Sequence, residues 1–176
     1  MHEKERWSAG TKKASFYQKD LENCAKPDTR TRVIHPEDMP WEECPQGMLK
    51  HLSNEGMENI NSGQMDLYIQ QLFAGGASGK HRHMNEEIIY ILEGKGYSLQ
   101  WDVDAELKEK YYWNVAAEPK RIDWEEGDLV LIPVNTVHQH FNADAAKTAR
   151  YVSASNAIYR WLGFLDLEQI EPAPKA

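Results

Sequence analysis

The chain has 176 residues, with 20 Lys and Arg against 28 Asp and Glu and a net charge of −8. That length is met most economically by one domain with a sizeable core, and the acidic balance disfavours a nucleic acid backbone or an anionic membrane surface as partner. No uncharged apolar run approaches the roughly 18 residues that span a bilayer, and the start MHEKERWSAGTKK lacks the apolar segment of a secretory signal, so a cytoplasmic location is the default expectation. Cys24 and Cys44 stand far apart and outside any C-x-x-C arrangement, which points to free thiols rather than a disulfide framework or a thiolate zinc site.

Residues 1–45 are polar and punctuated by proline, as in CAKPDTRTRVIHPEDMPWEECP, without helical or alternating period, and read as an arm laid over the domain. From Gly47 the texture changes to short runs of Ile, Val, Leu, Tyr and Trp separated by Gly, Pro, Asn and Asp: MLKHLS, MDLYIQQLF, EIIYILE, GYSLQWDV, LVLIPV, VHQHFN and ARYVSAS. Strands of about six residues at such close spacing predict an all-β sandwich or barrel over residues 46–168, with nothing between them long enough for repeated crossover helices. EGKG, Glu93 to Gly96, has the look of a tight hairpin turn, since both glycines tolerate positive φ. DAELKEKYYWNVAAEPKR, between Trp101 and Ile122, is a charged insertion that fits an extended hairpin or a short helical excursion. IYRWLGFLDLEQIEPAPKA carries a last strand or a short C-terminal helix, and residues 169–176 are expected to be a disordered tail beyond the domain. There is no internal repeat or low-complexity tract.

The chemistry gathers in GGASGKHRHMNEEIIYILEGKG. His81 and His83 lie two apart, so in a strand they project to one side, whereas in a helix they diverge by about 200°. Glu87, four beyond His83, is compatible with the same face, and the IIYIL that follows supports extended structure. Alone, the pair is weak evidence for a metal, because exposed turn histidines and a solvated Glu86–Glu87 edge read the same way. A second H-x-H pair occurs at His138 and His140.

The spacing is Gly75, five residues, His81-x-His83, three residues, Glu87, six residues, Gly94, and then GDLVLIPVNTVHQHFN, with Gly127, five residues, Pro133, His138 and Asn142. Together these resemble the two conserved motifs of the cupin family. One departure is Asn135, where the family usually has glycine and where Asn tolerates a left-handed backbone. The resemblance implies a jelly-roll β-barrel holding one divalent metal by His81, His83, Glu87 and His138. Three imidazoles and a carboxylate suit Fe(II), Mn(II), Ni(II) or Zn(II) and leave two positions of an octahedron open. In this frame Gly75 and Gly94 permit turns beside the metal strands, and Pro133 marks the bend before the strand of His138. Arg82 projects away from the metal into a structural ion pair, while His140 is either an acid or base behind the ligands or a histidine hydrogen-bonded near the barrel mouth. Tyr90, Tyr97, Trp101 and Trp124 read as core or sheet-surface aromatics, and His2, His35 and His51 as surface residues.

Within the family, HRH, EGKG, EEGDL and the H-x-H-x-N ending look like the gentisate 1,2-dioxygenase branch. That likeness implies an Fe(II)-dependent dioxygenase, an oxidoreductase acting on a small hydroxylated aromatic or carboxylic acid that chelates the metal. The branch is generally larger, carries two cupin domains and ligates with three histidines alone, so Glu87 sets this chain apart from it. An added anionic ligand lowers the net charge at the metal and takes a coordination position. A non-redox isomerase or lyase using the metal as a Lewis acid is the alternative, followed by a small-molecule sensor. A small-molecule substrate is expected, with neither nucleic acid nor membrane as partner. The resemblance also implies a homodimer, for which the N-terminal arm is a candidate swapped element.

Overall fold

The computed structural model describes residues 31–54, 57, 65–109, 111–158, 163 and 167–175. A single 3-10 turn, Pro36–Asp38, leads into β1 (Glu42–Cys44), which folds back through Pro45 and Gln46 into β2 (Gly47–Ser53) so that Cys44 faces Gly47. There follow β3 (Met65–Leu72), β4 (Lys80–Arg82), β5 (Glu87–Glu93), β6 (Lys95–Trp101), β7 (Val103–Leu107) and β8 (Tyr111–Val115). The chain continues with β9 (Lys120–Glu125), β10 (Leu129–Ile132), β11 (Val137–Asn142), β12 (Ala149–Asn156) and β13 (Glu168–Glu171). Two antiparallel sheets run in the orders β1-β2-β3-β12-β5-β10 and β13-β4-β11-β6-β9, and β7 pairs with β8 as a separate ribbon. Thr31–Ala176 make up one compact unit carrying both sheets. Met1–Arg30, with His2 and Cys24 among them, lie outside the described residues.

The side-chain alternation of each strand separates an inner face from an outer one. In β5, Glu87, Ile89 and Ile91 are buried, while Ile88, Tyr90 and Leu92 are exposed on the outer surface. β10 repeats this with Val130 and Ile132 inside and Leu129 and Leu131 outside. Ile89, Ile91, Val130, Ile132, Leu72, Trp124, Ala149 and Tyr151 interlock as one apolar cluster. Each fully buried aliphatic side chain there contributes about 1.5–3 kcal/mol. Along β5 the inner face passes from Glu87 to Ile89 and Ile91, so the polar site and the apolar core are successive layers of one barrel interior.

The all-β jelly-roll reading holds, with corrections to its connections. Glu93 to Gly96 do not close a hairpin: β5 pairs with β12 and β10, β6 pairs with β11 and β9, and the turn carries the chain from one sheet to the other. Gly94 takes φ +89° there, with Ala149 so close that a Cβ could not be fitted. The charged insertion is an extended hairpin, β7 and β8, rather than a helical excursion. The tail is not disordered from 169 onward. Glu168–Glu171 pair with β4, because the outer edge of β4 offers backbone groups that need partners, and Ala173 N–H donates to the Pro45 carbonyl between β1 and β2. The barrel therefore extends past 168, and at its other end β1 brings part of the proposed arm into the sheet. The alternative of a C-terminal helix falls largely outside the described residues. Cys44 is a free thiol. Among the described residues no helix is long and apolar enough to cross a membrane.

Candidate metal centre

β4 and β11 lie side by side with His81 opposite His138, and β5 faces them from the other sheet. His83 follows β4 by one residue and Glu87 opens β5. This brings His81, His83, Glu87 and His138 together: all four are buried, and one ligand atom from each lies within 4.8 Å of the others. The ring centroids of His81 and His138 are 4.2 Å apart, and those of His83 and His138 are 5.0 Å apart.

Each imidazole is turned by a backbone carbonyl two residues away in sequence. Nδ1 of His81 lies 3.2 Å from the Gly79 oxygen, that of His83 2.8 Å from the Asn85 oxygen, and that of His138 2.9 Å from the Thr136 oxygen. A carbonyl only accepts, so every Nδ1 carries the proton and, in the neutral ring, every Nε2 presents a lone pair. Three imidazoles with Nδ1 engaged by carbonyls, gathered within 4.8 Å beside a carboxylate, form a donor set for a single divalent ion. His138 Nε2 is buried and lies 3.3 Å from Glu87 Oε2 without hydrogen-bond alignment. A donor left in that state by a protein interior fits an ion as its intended partner.

Glu87 is held on its other oxygen. Oε1 accepts hydrogen bonds from Ser153 Oγ at 2.5 Å and Tyr68 Oη at 3.1 Å, leaving Oε2 toward the imidazoles, 2.9 Å from His83 Nε2. Burial alone would raise the carboxyl pKa, but the contacts with His138 and His83 outweigh it and hold Glu87 well below the usual carboxylate range. His81 is held well below its ordinary value by burial and by His138. His83 is raised: burial works against its charged form, but the hydrogen bond and charge of Glu87 prevail. Burial, then the Glu87 charge, push Tyr68 well above its ordinary value, so it remains a hydroxyl donor.

His140 occupies the layer beneath. It is fully buried, with Nδ1 2.7 Å from Ser98 Oγ, which in turn accepts from Trp124 Nε1 at 3.2 Å. Its ring lies 5.5 Å from that of His138, and its pKa is pushed down to about 3, first by burial and then by His138. A neutral histidine in the barrel interior matches this setting. Arg82 projects away from the cluster onto Glu168, as expected, with Nη2 2.8 Å from Oε2. Trp124 is core, Tyr97 stacks on Phe141 on the sheet surface, and Lys80 lies over the Trp101 ring.

A cavity of about 170 Å³ opens beside the cluster, with Gln46, His51, Asp66, Tyr68, Asn85 and Ser155 among its lining. That volume is below the range of drug-sized ligand sites and admits a small molecule. His51, read from sequence as a surface residue, is instead half-buried in this wall, with Nδ1 3.6 Å from Glu42. Tyr68 and Ser153 also escaped sequence reasoning. Their only trace there is alternation, which puts Ser153 on the same face as Tyr151.

The comparisons with known proteins agree with this geometry. The family model described as Cupin domain matches residues 68–155, half of the chain, and the chain belongs to the cupin family. It is similar to acireductone dioxygenase 2 of Coprinopsis cinerea, 26% identical over 124 residues that make up 70% of this chain and 51% of that protein. The chain thus spans about half the length of that curated relative. Among solved structures it resembles the polyketide cyclase RemF of Streptomyces resistomycificus, with TM-score 0.52 and 15% identity, covering 80% of this chain and 85% of that one. It also resembles pumpkin seed globulin, with TM-score 0.56 and 12% identity over 76% of this chain and 34% of that one. At such identities the likeness is one of fold. The gentisate branch is supported by the sequence motifs alone.

Proposed function

We propose that this chain is a mononuclear metal-dependent cupin enzyme, a dioxygenase using Fe(II) and a small oxygenated substrate that presents two adjacent oxygens. The observation that carries the proposal is the set of three imidazoles with Nδ1 pinned to backbone carbonyls, converging with Glu87 beside a small cavity. His81, His83, Glu87 and His138 would hold the ion. When bound, it supplies Lewis acidity and, as Fe(II), redox chemistry with O₂. Tyr68 and Ser153 keep Glu87 oriented, so its charge stays in the cluster. The cavity size suits a small substrate, and His51, Gln46, Asn85 and Ser155 offer polar contacts that orient it. The relative named acireductone dioxygenase supports both the dioxygenase class and a substrate with neighbouring oxygens.

The test is elemental analysis of the purified chain together with oxygen uptake by the Fe(II)-loaded form over acireductones, dihydroxybenzoates and small hydroxy acids. Uptake dependent on Fe(II) is expected for at least one member of this panel. Full turnover without oxygen in the Zn(II), Mn(II) or Ni(II) form would instead establish a non-redox isomerase or lyase.

A further inference from the structure

The geometry points to Asn135 and Arg82 as positioning residues that set the two halves of the ligand set against each other. Asn135 has φ +64°, a conformation that glycine adopts freely and that asparagine tolerates better than most side chains, and among the described residues it is the non-glycine position with positive φ. It is also buried. An asparagine there, unlike glycine, adds a side chain that can bond its neighbours, and that side chain has a partner.

Asn135 is tied to the His81–His83 segment twice. Its N–H donates to the His83 carbonyl at 3.0 Å, and its Oδ1 accepts from Arg82 Nη1 at 2.5 Å. Arg82, between two metal-ligand histidines, reaches the other way to Glu168 on β13 through Nε at 3.2 Å and Nη2 at 2.8 Å, and lies over the Trp113 ring from β8 at 4.9 Å. Thr136, the next residue, supplies the carbonyl that orients His138. The ladder between β4 and β11 consists of the single pair His81 and His138, and His83 lies beyond the end of β4. The Arg82–Asn135 bond therefore connects the backbone of His81 and His83 to the turn that aims His138. Loss of a partner that orients a metal ligand typically lowers metal affinity by about 10- to 100-fold.

The inference rests on the metal-centre reading above, and the test separates the two. Asn135→Gly relieves the backbone but removes the acceptor for Arg82; Asn135→Asp keeps an acceptor and also tolerates positive φ. Zn(II) affinity is measured on the full chain by competition with a chromophoric chelator, Co(II) absorption reports ligand geometry, and thermal melts are run on the metal-free protein. Asn135→Gly is expected to melt at or above the parent temperature, bind Zn(II) at least fivefold more weakly and shift the Co(II) spectrum. Asn135→Asp is expected to bind within threefold of the parent or more tightly. The inference is overturned if Asn135→Gly binds within fivefold of the parent, if its loss of affinity comes with a lower melting temperature, or if Asn135→Asp falls outside that range. A parent chain that takes up neither ion overturns the metal-centre reading and this inference with it, whereas equal binding by parent and Asn135→Gly overturns the inference alone.

Discussion

Replacing Glu87 by Gln changes the charge of the centre while preserving its shape. In the metal-free protein the amide oxygen can take the place of Oε1 and accept from Tyr68 and Ser153. The amide NH₂ then faces Nε2 of His83 and His138, lone-pair atoms in the neutral rings because their Nδ1 protons are engaged by the Asn85 and Thr136 carbonyls. Hydrogen bonding is thus conserved above the raised His83 value, where that ring is neutral, and at such a pH the fold should change by less than about 1 kcal/mol, or about 2–4 °C in Tm. Metal binding should suffer much more. Burial of the carboxylate is already compensated in the fold by the two histidines, so an arriving ion meets a preformed anion. Removing one partner of a buried ion pair costs about 3–5 kcal/mol, which converts to about two to three and a half decades in Kd. Competition against a chromophoric chelator, with melts of the metal-free form as control, measures both quantities. A variant Kd within tenfold of the parent, at unchanged Tm, would refute the assignment of Glu87 as a ligand.

Three further outcomes are expected. His81→Ala and His138→Ala should each lose most bound metal in elemental analysis while circular dichroism keeps the β signature; unchanged metal content in either removes that residue from the donor set. Metal uptake should displace a proton from His83, because its imidazole is raised while His81 is lowered and Glu87 is already ionised. The sign follows: protons compete below the raised His83 value, so apparent affinity climbs with pH up to it and then levels off, and a flat profile across pH 5–8 would contradict this. Calorimetry in buffers of different ionisation enthalpy detects the proton release directly. Gly96→Ala should destabilise the barrel by about 2–3 kcal/mol, or roughly 5–10 °C, because a Cβ there would run into the Phe141 carbonyl and the Trp124 indole. A melting temperature within 2 °C of the parent would show that the strands give way more easily than their packing indicates.

Much of the centre was legible in the residue pattern. A spacing of two between His81 and His83 has one meaning in a strand, and the match of Glu87 and His138 to a known motif placed four ligands from two distant segments. Sheet membership was not legible. EGKG has hairpin chemistry, and Gly94 does adopt positive φ, yet the strands on either side pair with others. Turn residues report local backbone angles, whereas strand partners are chosen by contacts far along the chain. The same applies to Glu168–Glu171, whose polar sequence offers no hydrophobic alternation and which becomes a strand because β4 has an edge to satisfy. His51 illustrates the limit for function: a lone histidine has no pattern, and only the packing of β2 beside the cluster puts it in the cavity wall.

The sequence by itself determined the all-β class, through the alternation and close spacing of its apolar runs, and the four candidate ligands, through the resemblance of two segments to the cupin motifs. The tertiary structure decided which lone pair each imidazole presents, what holds Glu87, and why an asparagine occupies a backbone conformation suited to glycine. Each of these is a hydrogen bond closed by folding: from an imidazole to a carbonyl at a strand end, from Tyr68 and Ser153 to a carboxylate on another strand, and from Arg82 to Asn135 across 53 residues of chain. Such partners are fixed by proximity in space, which spacing along the chain does not encode.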